Sequence, residues 1–139
     1  MKVYVDTSVV LRRLLGQAGR VEHWGDWELA VTSELTRVAA RRTLDRLRLR
    51  GRLRDADVAR AAVGLQAMLR PFDTISIQTA VLERAAAPFP TVLGTLDAIH
   101  LASALLWTEQ RRQPLTFLTH DEELAIAAQA SGLEVGPPA

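Results

Sequence analysis

Cysteine is absent from the sequence of 139 residues, which excludes a disulfide framework, a zinc site made of thiolates and a cysteine nucleophile. This absence fits a reducing compartment, and we expect a cytoplasmic protein. No apolar run reaches the roughly 18 residues that a membrane span requires, and the first residues lead straight to Asp6 without the pattern of a signal peptide. We therefore expect neither a membrane segment nor a secretory leader.

Lysine is almost absent, and the arginines are unevenly placed. Lys2 is the sole lysine, and nine arginines lie between Arg37 and Arg60. Residues 1–70 carry 14 Lys or Arg and 8 Asp or Glu, a net charge of +6, whereas residues 71–139 carry 3 and 8, a net charge of −5. A basic region of this kind is typical of a face that meets phosphate backbones, or of an ordinary solvated helix surface. Charge alone does not separate these two interpretations.

The length of the chain suits one compact domain, and its hydrophobic fraction of 48% is sufficient for a buried core. No repeat, low-complexity tract or linker interrupts the sequence. We therefore expect a single domain that spans residues 1–139.

Short apolar stretches alternate with segments of helical periodicity along the whole chain. The apolar stretches predict strands at residues 2–6, 28–32, 72–77, 115–119 and 133–135. The helical periodicity predicts helices at residues 8–15, 33–50, 55–70, 78–87, 96–110 and 121–131. Strands that alternate with helices predict an α/β fold, in which a central parallel sheet carries helices on both faces.

Four acidic residues fall at predicted strand ends or helix starts. They are Asp6 after "VYV", Glu34 after "AVTS", Asp97 near the start of the most apolar helix, and Asp121 after "TFLTH". Ligands of parallel sheets bind beyond the carboxyl ends of the strands, so the fold can bring these four side chains to one edge. Each also has a purely structural explanation, because acids cap helices and are stabilised in the first helical turn.

Asp97 is the least ordinary of the four, because the apolar residues Ala98, Ile99 and Leu101 follow it and place it near the core. A buried carboxylate requires a partner or a metal ion. Clustered carboxylates repel one another, and Mg²⁺ or Mn²⁺ relieves that repulsion because these ions prefer carboxylate and water oxygens. Such an ion also activates water and neutralises phosphate charge. An acidic edge beside a basic face therefore suggests phosphodiester hydrolysis.

Four segments together resemble one known family. In the order "VYVDTSVV", "TSELTRVAARR", "TLDAIHLASAL" and "FLTHDEELAIAA", they resemble the PIN-domain family, and most closely its short bacterial VapC-type toxins. The resemblance covers nearly the whole chain, and "LDAIHLA" is its most specific segment. It implies a PIN-like three-layer fold, with a central parallel sheet between helices, and a Mg²⁺- or Mn²⁺-dependent endoribonuclease.

The resemblance also implies which residues form the site. It places the catalytic and metal-binding acids of the family on Asp6, Glu34, Asp97 and Asp121, and supporting hydroxyl groups on Thr7, Ser8 and Thr119. An activated water would attack phosphorus in line, leaving 5′-phosphate and 3′-hydroxyl ends. This route uses no 2′-hydroxyl nucleophile, so a preference for RNA would come from binding.

The resemblance implies three partners: an RNA substrate, a small antitoxin protein, and a second copy of the chain in a homodimer. The predicted helix 33–50 suggests how RNA is bound. At about 100° per residue, Arg37, Arg41 and Arg48 lie within about 40–60° of Glu34. We interpret them as a basic stripe that guides the RNA backbone. A solvated helix face explains the same pattern equally well.

Other interpretations stay open. A non-catalytic PIN-like module that binds only RNA or protein fits the same sequence, and so do four simple helix caps. "VYVDTS" also resembles the nucleophile strand of haloacid-dehalogenase-type phosphatases, but that family requires an Asp where Ser8 stands and a lysine on a later strand. His100, one turn after Asp97, we interpret as a hydrogen-bonded core residue rather than a ligand.

Overall fold

The computed structural model describes residues 1–19 and 21–136. Within these residues the chain forms five strands and six helices. In chain order they are β1 (Lys2–Val5), α1 (Thr7–Leu14), β2 (Leu29–Ser33), α2 (Leu35–Leu49), α3 (Asp55–Leu69), β3 (Asp73–Ile75), α4 (Thr79–Ala86), α5 (Thr95–Arg111), β4 (Thr116–Leu118), α6 (Glu122–Ala130) and β5 (Glu134–Gly136).

The five strands form one parallel sheet in the order β3-β2-β1-β4-β5. The central strand, β1, pairs with β2 through Val3 and Ala30, and with β4 through Val3 and Thr116. The chain first builds outward from β1 to β2 and β3, and then returns to the other side of β1 with β4. The strand order therefore reverses beside β1, and the carboxyl end of β1 is a topological switch point.

The alternation of side chains along β1 divides the core between the two faces of the sheet. Val3 and Val5 point to one face, where they pack with residues of α1, α2 and α3. Tyr4 points to the other face and stacks on Phe117 of β4, beneath α5 and α6. Because both faces are covered, β1 is apolar throughout, as in other fully buried parallel strands.

The predicted α/β fold is confirmed, because a five-stranded parallel sheet lies between two layers of helices. Every predicted strand and helix is present, with ends that differ by at most two residues. The last predicted strand, residues 133–135, extends to Gly136 as β5. None of the described helices is long and apolar enough to cross a membrane.

Candidate active site at the carboxyl edge of the sheet

Asp6 follows the last residue of β1 and is held from three directions. Its Oδ1 atom accepts hydrogen bonds from the Ser8 hydroxyl at 2.6 Å and from the Val9 amide at 3.1 Å. Its Oδ2 atom accepts one from the Thr119 hydroxyl at 2.5 Å. The bond from Val9 makes Asp6 the N-cap of α1. Only 3% of the residue is exposed, so its carboxylate has one fixed orientation.

Ser8 and Thr119 join the turn after β1 to the turn after β4. Ser8 donates to Asp6, and its Oγ atom accepts from the backbone amide of His120 at 2.9 Å. Thr119 donates to Asp6, and its Oγ1 atom accepts from the amide of Asp121 at 3.0 Å. The structure thus places two of the three predicted hydroxyl groups directly on the carboxylate of Asp6.

The electrostatics of Asp6 are unusual for a carboxylate. Burial raises the pKa of Asp6 to about 6, although the hydrogen bonds from Ser8, Thr119 and Val9 act to lower it. The charge of Asp97 raises the pKa of Asp6 further. Burial without a compensating positive charge disfavours the ionised form. Asp6 therefore stands where a bound cation would lower its free energy.

Asp97, in the first turn of α5, faces other acids. Burial raises the pKa of Asp97, and the charges of Asp121 and Glu123 raise it further. Asp121 is the N-cap of α6, since its Oδ1 atom accepts from the Leu124 amide at 2.9 Å. Asp6, Asp97 and Asp121 therefore form one electrostatically coupled group at the switch point. Glu123 also belongs to this group. Its position two residues after Asp121 could have indicated it from the sequence.

Glu34 lies on a different part of the same edge. Its Oε2 atom accepts a hydrogen bond from the Ile77 amide at 2.9 Å, which ties the start of α2 to the segment after β3. The Ile77 bond, rather than an ion pair with Arg37, accounts for its position. The carboxylate is exposed and borders a cavity between α2 and α3. The structure thus couples three predicted acids through their charges and places the fourth after the neighbouring strand β2.

Thr7 supports α5 rather than an acid. Its Oγ1 atom lies 3.0 Å from Nε2 of His100, and the Tyr4 hydroxyl lies 2.7 Å from Nδ1 of the same ring. Burial lowers the pKa of His100 to about 4, so the ring is neutral at pH 7. His100 is thus a hydrogen-bonded core residue. Its contacts fix the first turns of α5, which carry Asp97.

The basic stripe predicted on α2 is only partly available to a ligand. Arg48 forms ion pairs with Asp45 at 3.0 Å and with Asp55 at 3.9 Å. Over residues 1–19 and 21–136, neither Arg37 nor Arg41 takes part in an ion pair. Both are exposed, so two of the three guanidinium groups face solvent without an acidic partner.

A family model described as PIN domain matches residues 3–130, which is most of the chain. The chain belongs to the PIN-domain family. The match includes Asp6, Glu34, Asp97 and Asp121, and so covers all four acids predicted for the site of this PIN domain.

One curated relative and two solved structures match this PIN domain over most of their length. Ribonuclease VapC47 of Mycobacterium tuberculosis is 28% identical over 143 residues, covering 98% of this chain and 96% of the relative. A toxin-antitoxin complex from Klebsiella pneumoniae contains a chain with a TM-score of 0.64 and 17% identity, covering 99% of this chain and 98% of that one. The PAE2754 protein of Pyrobaculum aerophilum has a TM-score of 0.63 and 23% identity, covering 94% and 81%.

The carboxylates of this PIN domain are ligands that a hard divalent cation prefers, although they are spaced too widely to form a complete ligand group. Across the described residues, no three Asp, Glu or His side chains stand close enough together to form a complete ligand group. Mg²⁺ keeps several waters and needs only one or two direct carboxylates. The buried carboxylate of Asp6 and the mutually repelling carboxylates of Asp97 and Asp121 provide such oxygens. The donor set therefore fits a hydrated Mg²⁺ or Mn²⁺ ion.

Proposed function

We propose that this PIN domain is a Mg²⁺- or Mn²⁺-dependent endoribonuclease and the toxin of a toxin–antitoxin pair. The observation that carries the proposal is the carboxylate of Asp6, which is buried, fixed by three hydrogen bonds and coupled to the charge of Asp97. The name of the Mycobacterium tuberculosis relative, a VapC ribonuclease, supports the same activity.

Each acid has a role that its surroundings favour. Asp6 is the fixed ligand of the site, because Ser8 and Thr119 set the direction of its two oxygens. Asp97 and Asp121 are ligands that act directly or through water, because their carboxylates are more exposed than that of Asp6. When bound, a divalent cation supplies an acidified water and neutralises charge on the phosphate.

Glu34 has a separate role in the proposal. Its carboxylate lies at the margin of the acidic group and keeps its Oε1 atom available, since Oε2 receives the Ile77 amide. From this position it orients the attacking water or the hydration shell of the cation. The water attacks phosphorus, the bond to the 3′-oxygen breaks, and a proton passes to the leaving oxygen.

The proposed toxin would have two protein partners. One is a small antitoxin, as in the neighbour that is titled a toxin-antitoxin complex. An antitoxin that delivers a basic side chain to Asp6 and Asp97 would replace the charge of the cation. The second partner is another copy of the chain in a homodimer.

The phosphatase alternative requires a lysine near Asp6, and the structure does not place one there. Lys2, the sole lysine, begins β1 and therefore lies at the amino edge of the sheet, opposite Asp6. Its ammonium group donates to Gln113 and lies 4.0 Å from Glu28. A phosphoaspartate mechanism needs a lysine at the carboxyl edge. The non-catalytic binding module stays as the second candidate, because an intact acidic edge can bind without cleaving.

Cleavage of RNA by the purified chain tests the proposal. The wild type should cut single-stranded RNA with Mg²⁺ or Mn²⁺ and should stop when a chelator is added. Asp97→Asn should lower the rate by about 100-fold or more, since it removes a carboxylate that would hold the cation. Asp73→Asn is the matched control, because Asp73 is an exposed acid at the start of β3 that does not belong to the coupled acidic group.

Two outcomes would contradict the enzyme proposal. Cleavage that survives both the chelator and Asp97→Asn would exclude the metal-dependent mechanism. Binding of RNA without any cleavage under either metal would favour the non-catalytic module.

A further inference from the structure

A cavity of about 410 Å³ opens between α2 and α3, above the carboxyl ends of β2 and β3. Its floor contains the buried hydroxyl groups of Thr32 and Ser33. Its walls carry two arginines from different helices, Arg37 on α2 and Arg70 at the end of α3. Gln66 and Thr74 complete its polar lining, and Glu34 forms its border toward the acidic group. We call this cavity the arginine pocket.

The two guanidinium groups of the arginine pocket are available to bind an anion. Within the part of the chain that the structure describes, Arg37 and Arg70 form no ion pair. Several neighbouring arginines differ in this respect, because Arg48, Arg54 and Arg60 are each paired with an aspartate, although Arg41 is not. The pocket also lies at the amino end of α2, a 15-residue helix whose dipole favours a negative charge there.

The arginine pocket lies on the same edge of the sheet as the acidic group. Adjacent strands are about 4.8 Å apart, so the ends of β2 and β3 lie within about 10 Å of Asp6 after β1. Glu34 borders the pocket and directly follows β2, the strand that lies between β3 and β1. A strand of RNA that crosses the edge from Asp6 toward β3 would therefore bring a neighbouring phosphate over Arg37 and Arg70.

We propose that the arginine pocket binds a phosphodiester group of the RNA strand next to the one that is cut, through Arg37 and Arg70. The inference rests on the proposed ribonuclease function and adds to it a route across β2 and β3. The planar forks of two guanidinium groups match the oxygens of one phosphate. The predicted stripe along α2 does not contain Arg70, so this residue distinguishes the pocket from the stripe.

Binding of a fluorescein-labelled 20-nucleotide single-stranded RNA of mixed sequence, in a chelator so that nothing is cut, tests the inference. Arg70→Gln should weaken binding by roughly 3–10-fold at low salt and should reduce the slope of log K against log salt by about 0.7. Arg37→Gln together with Arg70→Gln should lower the slope by about 1.4. Arg52→Gln is the matched control, because it removes the same charge at the far end of α2, roughly 20 Å away.

The outcomes separate the inference from the function on which it rests. Wild-type protein that binds and cuts RNA, together with Arg70→Gln that binds it as tightly as Arg52→Gln, overturns the arginine pocket and leaves the ribonuclease intact. Wild-type protein that neither binds nor cuts RNA overturns both. Thermal melts confirm that each exposed arginine variant is folded before binding is compared.

A second measurement needs no variant of the pocket. In ¹⁵N-labelled wild-type protein, the side-chain Nε–H signals of Arg37 and Arg70 should shift when the RNA is added, and the signal of Arg52 should stay in place. Shifts of the Arg52 signal alone, or equal shifts of all three, would contradict the pocket.

Discussion

Asp6 combines two functions that the sequence presented as alternatives. Its Oδ1 atom caps α1 through Val9, as a simple helix cap does. The same carboxylate is nearly fully buried, and the charge of Asp97 acts on it. A residue that only capped a helix would need no second hydroxyl from β4. The bond from Thr119 to Oδ2 is therefore the contact that distinguishes Asp6 from an ordinary cap.

The importance of that contact can be measured with Thr119→Val. This substitution keeps the shape of the side chain but leaves Oδ2 of Asp6 and the amide of Asp121 without their partner. We expect a loss of about 1–3 kcal/mol in the free energy of unfolding at pH 8. The loss should be smaller at pH 5, where Asp6, with its pKa of about 6, is mostly protonated.

Urea denaturation at the two pH values measures this difference, and Thr119→Ser is the matched control. Serine keeps the hydroxyl, so its stability should stay within about 1 kcal/mol of the wild type at both pH values. A loss that is the same at pH 5 and pH 8 in Thr119→Val would show that the hydroxyl does not act on the charge of Asp6.

His100 and Asp6 should affect stability in opposite directions as the pH falls. The pKa of His100 is about 4 in the folded chain and about 6.5 when unfolded, so the unfolded state binds more protons between these values. Its contribution is complete above pH 6.5 and is lost as the pH falls to 4. The pKa of Asp6 is raised on folding, so its charge destabilises the metal-free protein as the pH rises from 4 to 6.

His100→Gln should reveal the opposing contribution of Asp6. Glutamine can hydrogen-bond to Tyr4 and Thr7, but it does not titrate. Between pH 6.5 and 4, the variant should gain about 2–3 kcal/mol of unfolding free energy relative to the wild type, since only the His100 contribution is removed. Chemical denaturation of metal-free protein across this range measures it. Parallel pH profiles for the two proteins would show that His100 is not buried in its neutral form.

At the scale of elements, Glu34 links β2, α2 and the segment after β3 through a single bond. Glu34→Gln keeps an acceptor for the Ile77 amide and removes only the charge. We expect its free energy of unfolding to stay within about 0.5 kcal/mol of the wild type. Its rate of RNA cleavage should fall at least about tenfold, because a carboxylate at the margin of the site is lost.

Glu34→Ala provides the comparison for this prediction. It removes both the charge and the bond to Ile77, so it should lower stability as well as activity. Thermal melting and initial cleavage rates of the two variants measure both effects. Full activity in Glu34→Gln would assign Glu34 to structure alone.

The elements themselves could be predicted, because each depends on a local pattern. The apolar β1 is buried as its sequence indicates, and so is most of α5 from Ala98 onward, although Leu96 at its start is exposed. The order of the strands could not be predicted. Neighbouring parallel strands are far apart in sequence, and no local pattern indicates which strands pair. The direction of the Glu34 side chain depends on that order, because its partner Ile77 follows β3, the neighbour of β2.

Contacts of single residues in the candidate site could be predicted only where they depend on a local pattern. Positions at strand ends identified Asp6, Asp97 and Asp121, since the carboxyl edge follows from the fold class. The partner of Thr7 could not be predicted, because His100 is 93 residues away. The ion pair of Arg48 with Asp45 depends on rotamers rather than on helical spacing alone. Arg70 could not be singled out from the sequence, because it lines the arginine pocket only when α3 packs beside α2.

At the scale of the whole molecule, a cation that binds only the folded chain should stabilise it. At about 100 times its dissociation constant, Mn²⁺ should add about 2.7 kcal/mol to the free energy of unfolding. For a domain of this size the melting temperature should rise by roughly 5–10 °C. Differential scanning calorimetry with and without the metal measures the shift, and no RNA is needed.

The metal-dependent shift should disappear in Asp97→Asn and persist in Asp73→Asn. The first substitution removes an acid of the coupled group, and the second removes an exposed acid at the start of β3 that does not belong to that group. An equal rise in both variants would place the stabilising cation somewhere other than the acidic edge.

The bond from Thr119 to Asp6 also bears on when the chain becomes active during its synthesis. Asp6 is made well before one of its two hydroxyl donors, because Thr119 is 113 residues further along the chain. Parallel strands β1 and β4 can pair only after the intervening segments are in place. A nascent chain that ends before β4 therefore contains three of the four acids but lacks the oriented carboxylate. A working site would thus form only after β4 and Thr119 have been made.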